Sequence, residues 1–181
     1  MLKIIIRDSK TIKNGNMERV KSDNLIVHSD LSILNKYKDV VTILDICYNE
    51  LEEIPSIVSE MNKLNKLMIA GNNISNISIL SDCTQIEHLH INDNKITDIS
   101  PLSNHFKLQY FTAYNNNISS LKPLKKCSRL KFINICINKI KDFPCFFYNL
   151  ETLHTLKINN NDANLKIDKD KFINKRVRLI K

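Results

Sequence analysis

The chain repeats one short pattern of apolar residues around an asparagine, and any fold it adopts must repeat with it. The clearest copy is Ile86 to Ile99, IEHLHINDNKITDI, where Ile86, Leu89, Ile91, Ile96 and Ile99 bracket Asn94. The same order returns from Val41, Leu64, Leu108, Leu130 and Leu153, at intervals of 22 or 23 residues. Every copy holds an asparagine in the same register: Asn49, Asn72, Asn94, Asn116, Asn138 and Asn161. Segments such as LHI or FTA are too short to be stable alone, so each unit must bury its apolar positions against neighbours. Parallel strands stacked one per unit meet that demand and satisfy the backbone at the same time. The asparagine falls where the chain leaves the strand. Its amide donates and accepts together, which suits backbone groups left over at a turn. The six asparagines are therefore expected to be structural. Ala113 and Ala163 replace the usual Leu or Ile, and looser packing is expected around them.

This spelling resembles the leucine-rich repeat, LxxLxLxxNxL, from Val41 to Ala163. Units such as INDNKITDISPLSNHFKL are similar to the 22-residue subclass of phosphatase-regulatory proteins of the SDS-twenty-two kind. Two 23-residue units place a proline after the fourteenth position, as in LEEIPSIVSEMNKL and IKDFPCFFYNLETL, a variant of the same family. The resemblance implies an α/β solenoid: a curved slab with a parallel sheet on its concave face and loops or short helices on its convex face. It also implies a non-catalytic binding module. Relatives of this architecture regulate protein phosphatases, dock on dynein heavy chains or assemble with splicing factors. The C-terminal flank departs from several of them in lacking their NPxxxxxxYR-type cap.

The flanks divide the chain into three parts. Residues 1–40 form an N-terminal flank in which Leu25 to Val27, Leu31 and Leu34 read as a degenerate capping repeat. Residues 41–163 are the six repeats, and residues 164–181 a basic cap or tail. A last strand around Phe172 and Ile173 covering the core is one form that tail could take. The opening MLKIIIRDSK has only three consecutive isoleucines, far short of the ~20 apolar residues of a membrane span. It also lacks the apolar stretch of an export signal. Five cysteines, an odd number without a CxxC pair, fit reduced thiols in the cytoplasm or nucleus. The abundance of Asn, Ile and Lys fits codon bias in an AT-rich genome.

Charge is concentrated at the ends. Residues 1–20 carry +3 and residues 166–181 carry +5, while residues 21–165 hold 15 basic and 15 acidic groups. Nucleic acid, an acidic protein or an anionic membrane could bind the C-terminal tail. That tail is the basis of an alternative function, an anionic-ligand binder.

Catalytic motifs are missing. Only Gly15 and Gly71 are available for a phosphate loop, and neither GxSxG nor HExxH occurs. No cofactor is implied. His88 and His90 lack an evident third ligand, so no metal site is expected. Function is instead expected on the strand residues that alternate away from the core. Ile43, Asp45, Met68, His88, His90, Tyr110, Tyr114 and Phe132 form the candidate surface for a protein partner. Exposed aromatics and methionine grouped on one face are a signature of such surfaces. The expected protein is a monomeric, non-enzymatic scaffold, adaptor or regulatory subunit.

Overall fold

The computed structural model describes the backbone of residues 3–7, 11–13, 16–18, 25–28, 33–173 and 176–181, and the side chains of residues 34–173 and 176–181. Each repeat contributes one three-residue strand. These are β5 (Ile43–Asp45), β6 (Lys66–Met68), β7 (His88–His90), β8 (Tyr110–Thr112), β9 (Phe132–Asn134) and β10 (Thr155–Lys157). A seventh parallel strand, β11 (Arg178–Ile180), joins beyond β10. Their register follows the sequence period: Lys66, His88, Tyr110, Phe132, Thr155 and Arg178 lie side by side in one row. The middle residue of each strand from β5 to β10 points inward and is buried, and its neighbours lie on the other face, half-buried except for the buried Thr112.

The remaining strands are N-terminal. They are β1 (Lys3–Arg7), β2 (Thr11–Lys13), β3 (Asn16–Glu18) and β4 (Leu25–His28). The open sheet runs β11-β10-β9-β8-β7-β6-β5-β1-β4, and β2 pairs with β3 separately. Strand direction here differs from the expected capping repeat. Leu25 to Val27 lie in β4, antiparallel to β1, and β1 in turn is antiparallel to β5. A strand that pairs antiparallel ends the parallel repetition, because no further unit can continue in its direction. Leu31 lies outside the described residues. A short helix, α1 (Ile33–Tyr37), leads into the first repeat and buries Leu34.

Opposite the sheet, each of the first five repeats returns through one 3-10 turn: Ser56–Glu60, Ser78–Asp82, Ser100–Asn104, Lys122–Lys126 and Cys145–Asn149. A unit of this length has no room for a longer helix. In the 22-residue units a short polar residue starts the turn: Asn76, Asp98 and Ser120 accept from the backbone N–H of Ser78, Ser100 and Lys122. The 23-residue units use Pro55 and Pro144 at the same junction instead.

The core lies between these two sides. Position one, four and six residues of the repeats are buried throughout. Phe111 replaces the usual Leu or Ile at position four of the unit whose position six is Ala113, so bulk lost at one inward site returns at its neighbour. Both are fully buried. Ala163, by contrast, is exposed and contributes no core contact.

The asparagines knit repeats together. The Asn94 amide oxygen accepts from Ile74 N–H at 3.0 Å, and its nitrogen donates to the carbonyls of Ile69, Ile91 and Asn92. Asn72, Asn116, Asn138 and Asn161 do the same one unit along, each reaching back to the repeat before it. The residue just before each asparagine has positive φ: Tyr48, Gly71, Asp93, Asn115, Ile137 and Asn160, between 52° and 66°. That conformation turns the chain sharply enough for the amide to point back inward.

Toward the C terminus, described residues of the basic stretch pack against the repeats. Ile167, Phe172 and Val177 are buried against the last repeat, and Phe172 packs edge-on to Tyr148 at 5.0 Å between ring centres. Phe143 stacks on Phe147 at 5.1 Å beneath them. The covering strand is Arg178–Ile180, while Phe172 serves as a core plug and Ile173 is exposed.

Candidate functional site

The sheet face is built from the outward residues of β5 to β11. Parallel strands lie ~4.8 Å apart, so equivalent side chains on successive repeats must touch. His88 and Tyr110 stack with ring centres 4.5 Å apart and planes 6° from parallel. Tyr110 and Phe132 continue the stack at 6.5 Å and 23°. Lys157 Nζ sits 5.7 Å from the Phe132 ring centre, closing the row with a cation on a π face. His88, Tyr110, Phe132 and Lys157 therefore form one half-exposed ladder across four strands.

A second row runs beside it. Met68 and His90 are register partners, and His90 Nδ1 lies 3.0 Å from Thr112 Oγ1. Burial, with help from Lys66 and His88, holds the His90 pKa down to about 4. Burial and then Lys66 also lower His88. Both rings are therefore neutral near pH 7, which favours stacking and removes repulsion between them.

The other candidates stand apart from the ladder. Ile43 and Asp45 are on β5, two strands from His88, and Asp45 spends one oxygen on the Cys47 N–H at 3.1 Å. Tyr114 lies toward the loop rim, where its hydroxyl bonds Asp93 and its pKa rises to about 12. The five cysteines are free thiols. Cys47 accepts from Ala70 N–H at 3.2 Å, and burial followed by Asp45 pushes its pKa to about 12. Cys83 and Cys127 are fully buried between the 3-10 turns, as their shared register implies. Among the described residues no group of three or more His, Cys, Asp or Glu side chains could hold a metal. Nor is any described helix long and apolar enough to cross a membrane.

Two features escaped the repeat pattern. The first is charge segregation, which an average over residues 21–165 conceals. Residues 41–98 carry nine Asp and Glu against three Lys and Arg, whereas residues 99–141 carry eight Lys and Arg and no acid. The second is Arg178, which reads as part of a tail but takes its place in the ladder row beside Thr155. A charge count by repeat would have revealed the first; no sequence signal marks the second, because β11 lacks the repeat spelling.

Parallel strands, a 3-10 turn per unit and a reach-back asparagine define a leucine-rich repeat solenoid. The family model described as "Leucine Rich repeats (2 copies)" matches residues 62–104. The chain is similar in structure to an internalin of Listeria monocytogenes, at TM-score 0.74 and 28% identity, over 84% of this chain and 44% of that one. It is also similar to internalin C2 of Listeria monocytogenes (TM-score 0.74, 24% identity, 83% of this chain and 66% of that one). A leucine-rich repeat protein of Leptospira interrogans shares the fold at TM-score 0.66 and 22% identity, over 76% of this chain and 36% of that one. The chain spans less than two thirds of the length of each. No curated protein matches it in sequence.

Proposed function

We propose that this protein is a non-catalytic interaction module that binds a protein partner on the outer face of its sheet. Leucine-rich repeat proteins generally serve as protein-interaction modules. The observation that carries the reading is the half-exposed ladder of His88, Tyr110 and Phe132. The fold needs only the inward residue of each strand to be apolar; polar side chains would serve the outward row equally well. Aromatic side chains aligned there are suited to a desolvated contact, where such residues dominate binding energy. The module acts as a monomeric adaptor or regulatory subunit. Free thiols at all five cysteines fit a reducing compartment, cytoplasm or nucleus.

The test is affinity capture from the native cell lysate with three baits: the intact chain, Tyr110→Ala/Phe132→Ala, and Lys166→Ser/Lys169→Ser/Lys171→Ser. Truncating the basic stretch is unsuitable, because it would strip β11 from β10 and uncover Phe147. Loss of a protein only with the aromatic variant supports the sheet face. Loss only with the lysine variant refutes it and moves function to the C-terminal cations. Nucleic acid is then the partner class to examine.

A further inference from the structure

The sheet face is not uniform, and its asymmetry specifies a partner. Over β5 to β7 the outward positions mix Asp45 and Lys66, with Glu87 at the edge, where it accepts from Gln109 at 2.8 Å. Over β8 to β11 the picture changes. Lys157 and Arg178 project from the strands themselves, and Lys131, just before β9, is close enough to His88 to affect its charge. The strand positions from Tyr110 to Ile180 include no carboxylate. Among the described residues no ion pair occupies Lys131, Lys157 or Arg178.

The aromatic rings sharpen the choice. Their faces are consumed by one another and by Lys157, so the face of the sheet is presented with ring edges. Ring edges carry the positive part of the quadrupole. A single-stranded nucleic acid needs free ring faces on which to stack its bases, and this ladder withholds them. Carboxylates interspersed with apolar side chains match both the edges and the cations. We propose that the partner presents an acidic, partly apolar peptide segment to strands β8–β11, with Lys131, Lys157 and Arg178 pairing its carboxylates and Tyr110 and Phe132 receiving its apolar side chains. Three strand intervals at ~4.8 Å span about 14 Å. About five extended residues at ~3.3 Å each cover that distance.

This inference rests on the sheet-face reading above, and one experiment separates the two. The intact chain is panned against a displayed library of random peptides longer than that span. The selected peptides are then measured by fluorescence anisotropy, beside an oligouridylate, against three variants. These are Lys157→Glu/Arg178→Glu, Tyr110→Ala/Phe132→Ala, and Lys122→Glu/Lys125→Glu on the opposite side. The expected winners are rich in Asp and Glu. They weaken about tenfold or more, roughly 1.4 kcal/mol, with each of the first two variants and little with the third. Neutral or basic winners that still depend on Tyr110 and Phe132 overturn the acidic partner while leaving the sheet face standing. Winners indifferent to both sheet-face variants, or no winners, overturn both readings. Oligouridylate binding tighter than any peptide, and lost with Lys157→Glu/Arg178→Glu, also overturns the proposal.

Discussion

Asn116→Ala is the sharpest probe of what holds the repeats in line. The Asn116 oxygen accepts from Ile96 N–H at 3.0 Å, and its nitrogen donates to the carbonyls of Ile91, Ala113 and Tyr114 at 2.9, 3.2 and 3.3 Å. The carbonyls keep other donors: Asn94 also reaches Ile91, Asn138 reaches Ala113, and the Asp93 N–H reaches Tyr114. Ile96 N–H keeps none, and Ile96 is fully buried. Orphaning one buried donor costs about 1–3 kcal/mol, and each bond lost from a carbonyl that keeps another donor costs less. The expected total is about 3–4 kcal/mol. Asn161→Ala should cost about half as much, since Asn161 is only half-buried and water can replace its amide. Asn116→Asp keeps the acceptor but aims an anion at three carbonyls, so it should be at least as harmful as alanine at neutral pH. Urea unfolding followed by circular dichroism reads all three, with unchanged m-values confirming a common unfolding transition. A cost below about 1 kcal/mol for Asn116→Ala, or a larger one for Asn161→Ala, would refute the reasoning.

Other perturbations test separate parts of the structure. Ile137 is β-branched at φ 54°, a conformation that costs an L-residue about 1–2 kcal/mol. Ile137→Asn should therefore raise the melting temperature by about 2–4 °C per kcal/mol recovered, and unchanged melting would show that no strain is stored there. Phe172→Ala should cost about 3–5 kcal/mol in urea unfolding, because it empties the fully buried plug of the C-terminal end. His105 is fully buried with neither ring nitrogen hydrogen-bonded, and burial lowers its pKa, opposed by the carbonyls of Leu102 and Cys83. Its depressed value means that the unfolded chain takes up a proton first, so stability is complete above about pH 6.5 and falls below it. Chemical unfolding should lose roughly 1 kcal/mol per pH unit to this residue, and His105→Cys, the choice of the flanking repeats, should remove that part of the slope. His90, with its pKa near 4, adds to the same acid sensitivity.

The repeat spelling carried the strand register. Counting from each first apolar residue places Lys66, His88, Tyr110, Phe132 and Thr155 in one row, and the sheet pairs those same residues. Periodicity succeeds there because every unit solves one packing problem in the same way. It says nothing where the problem changes. The first described strands end the sheet by reversing direction, a choice that depends on pairing between β1, β4 and β5 rather than on any local period. The strand Arg178–Ile180 is held by backbone pairing to β10. Of the candidate surface, His88, His90, Tyr110 and Phe132 lie on three neighbouring strands. Tyr114 is diverted to Asp93, an interaction between positions seven and eight of neighbouring units that linear spacing cannot anticipate.

The reach-back asparagines also give the array a grammar of growth. Every unit hands its amide to the unit before it and waits for the next to return the favour. A copied unit inserted anywhere inside the array finds both obligations met. Duplication within such a gene is therefore structurally cheap in the interior. Lengthening the solenoid by whole units before the aromatic cluster of Phe143, Phe147 and Phe172 leaves that cluster intact.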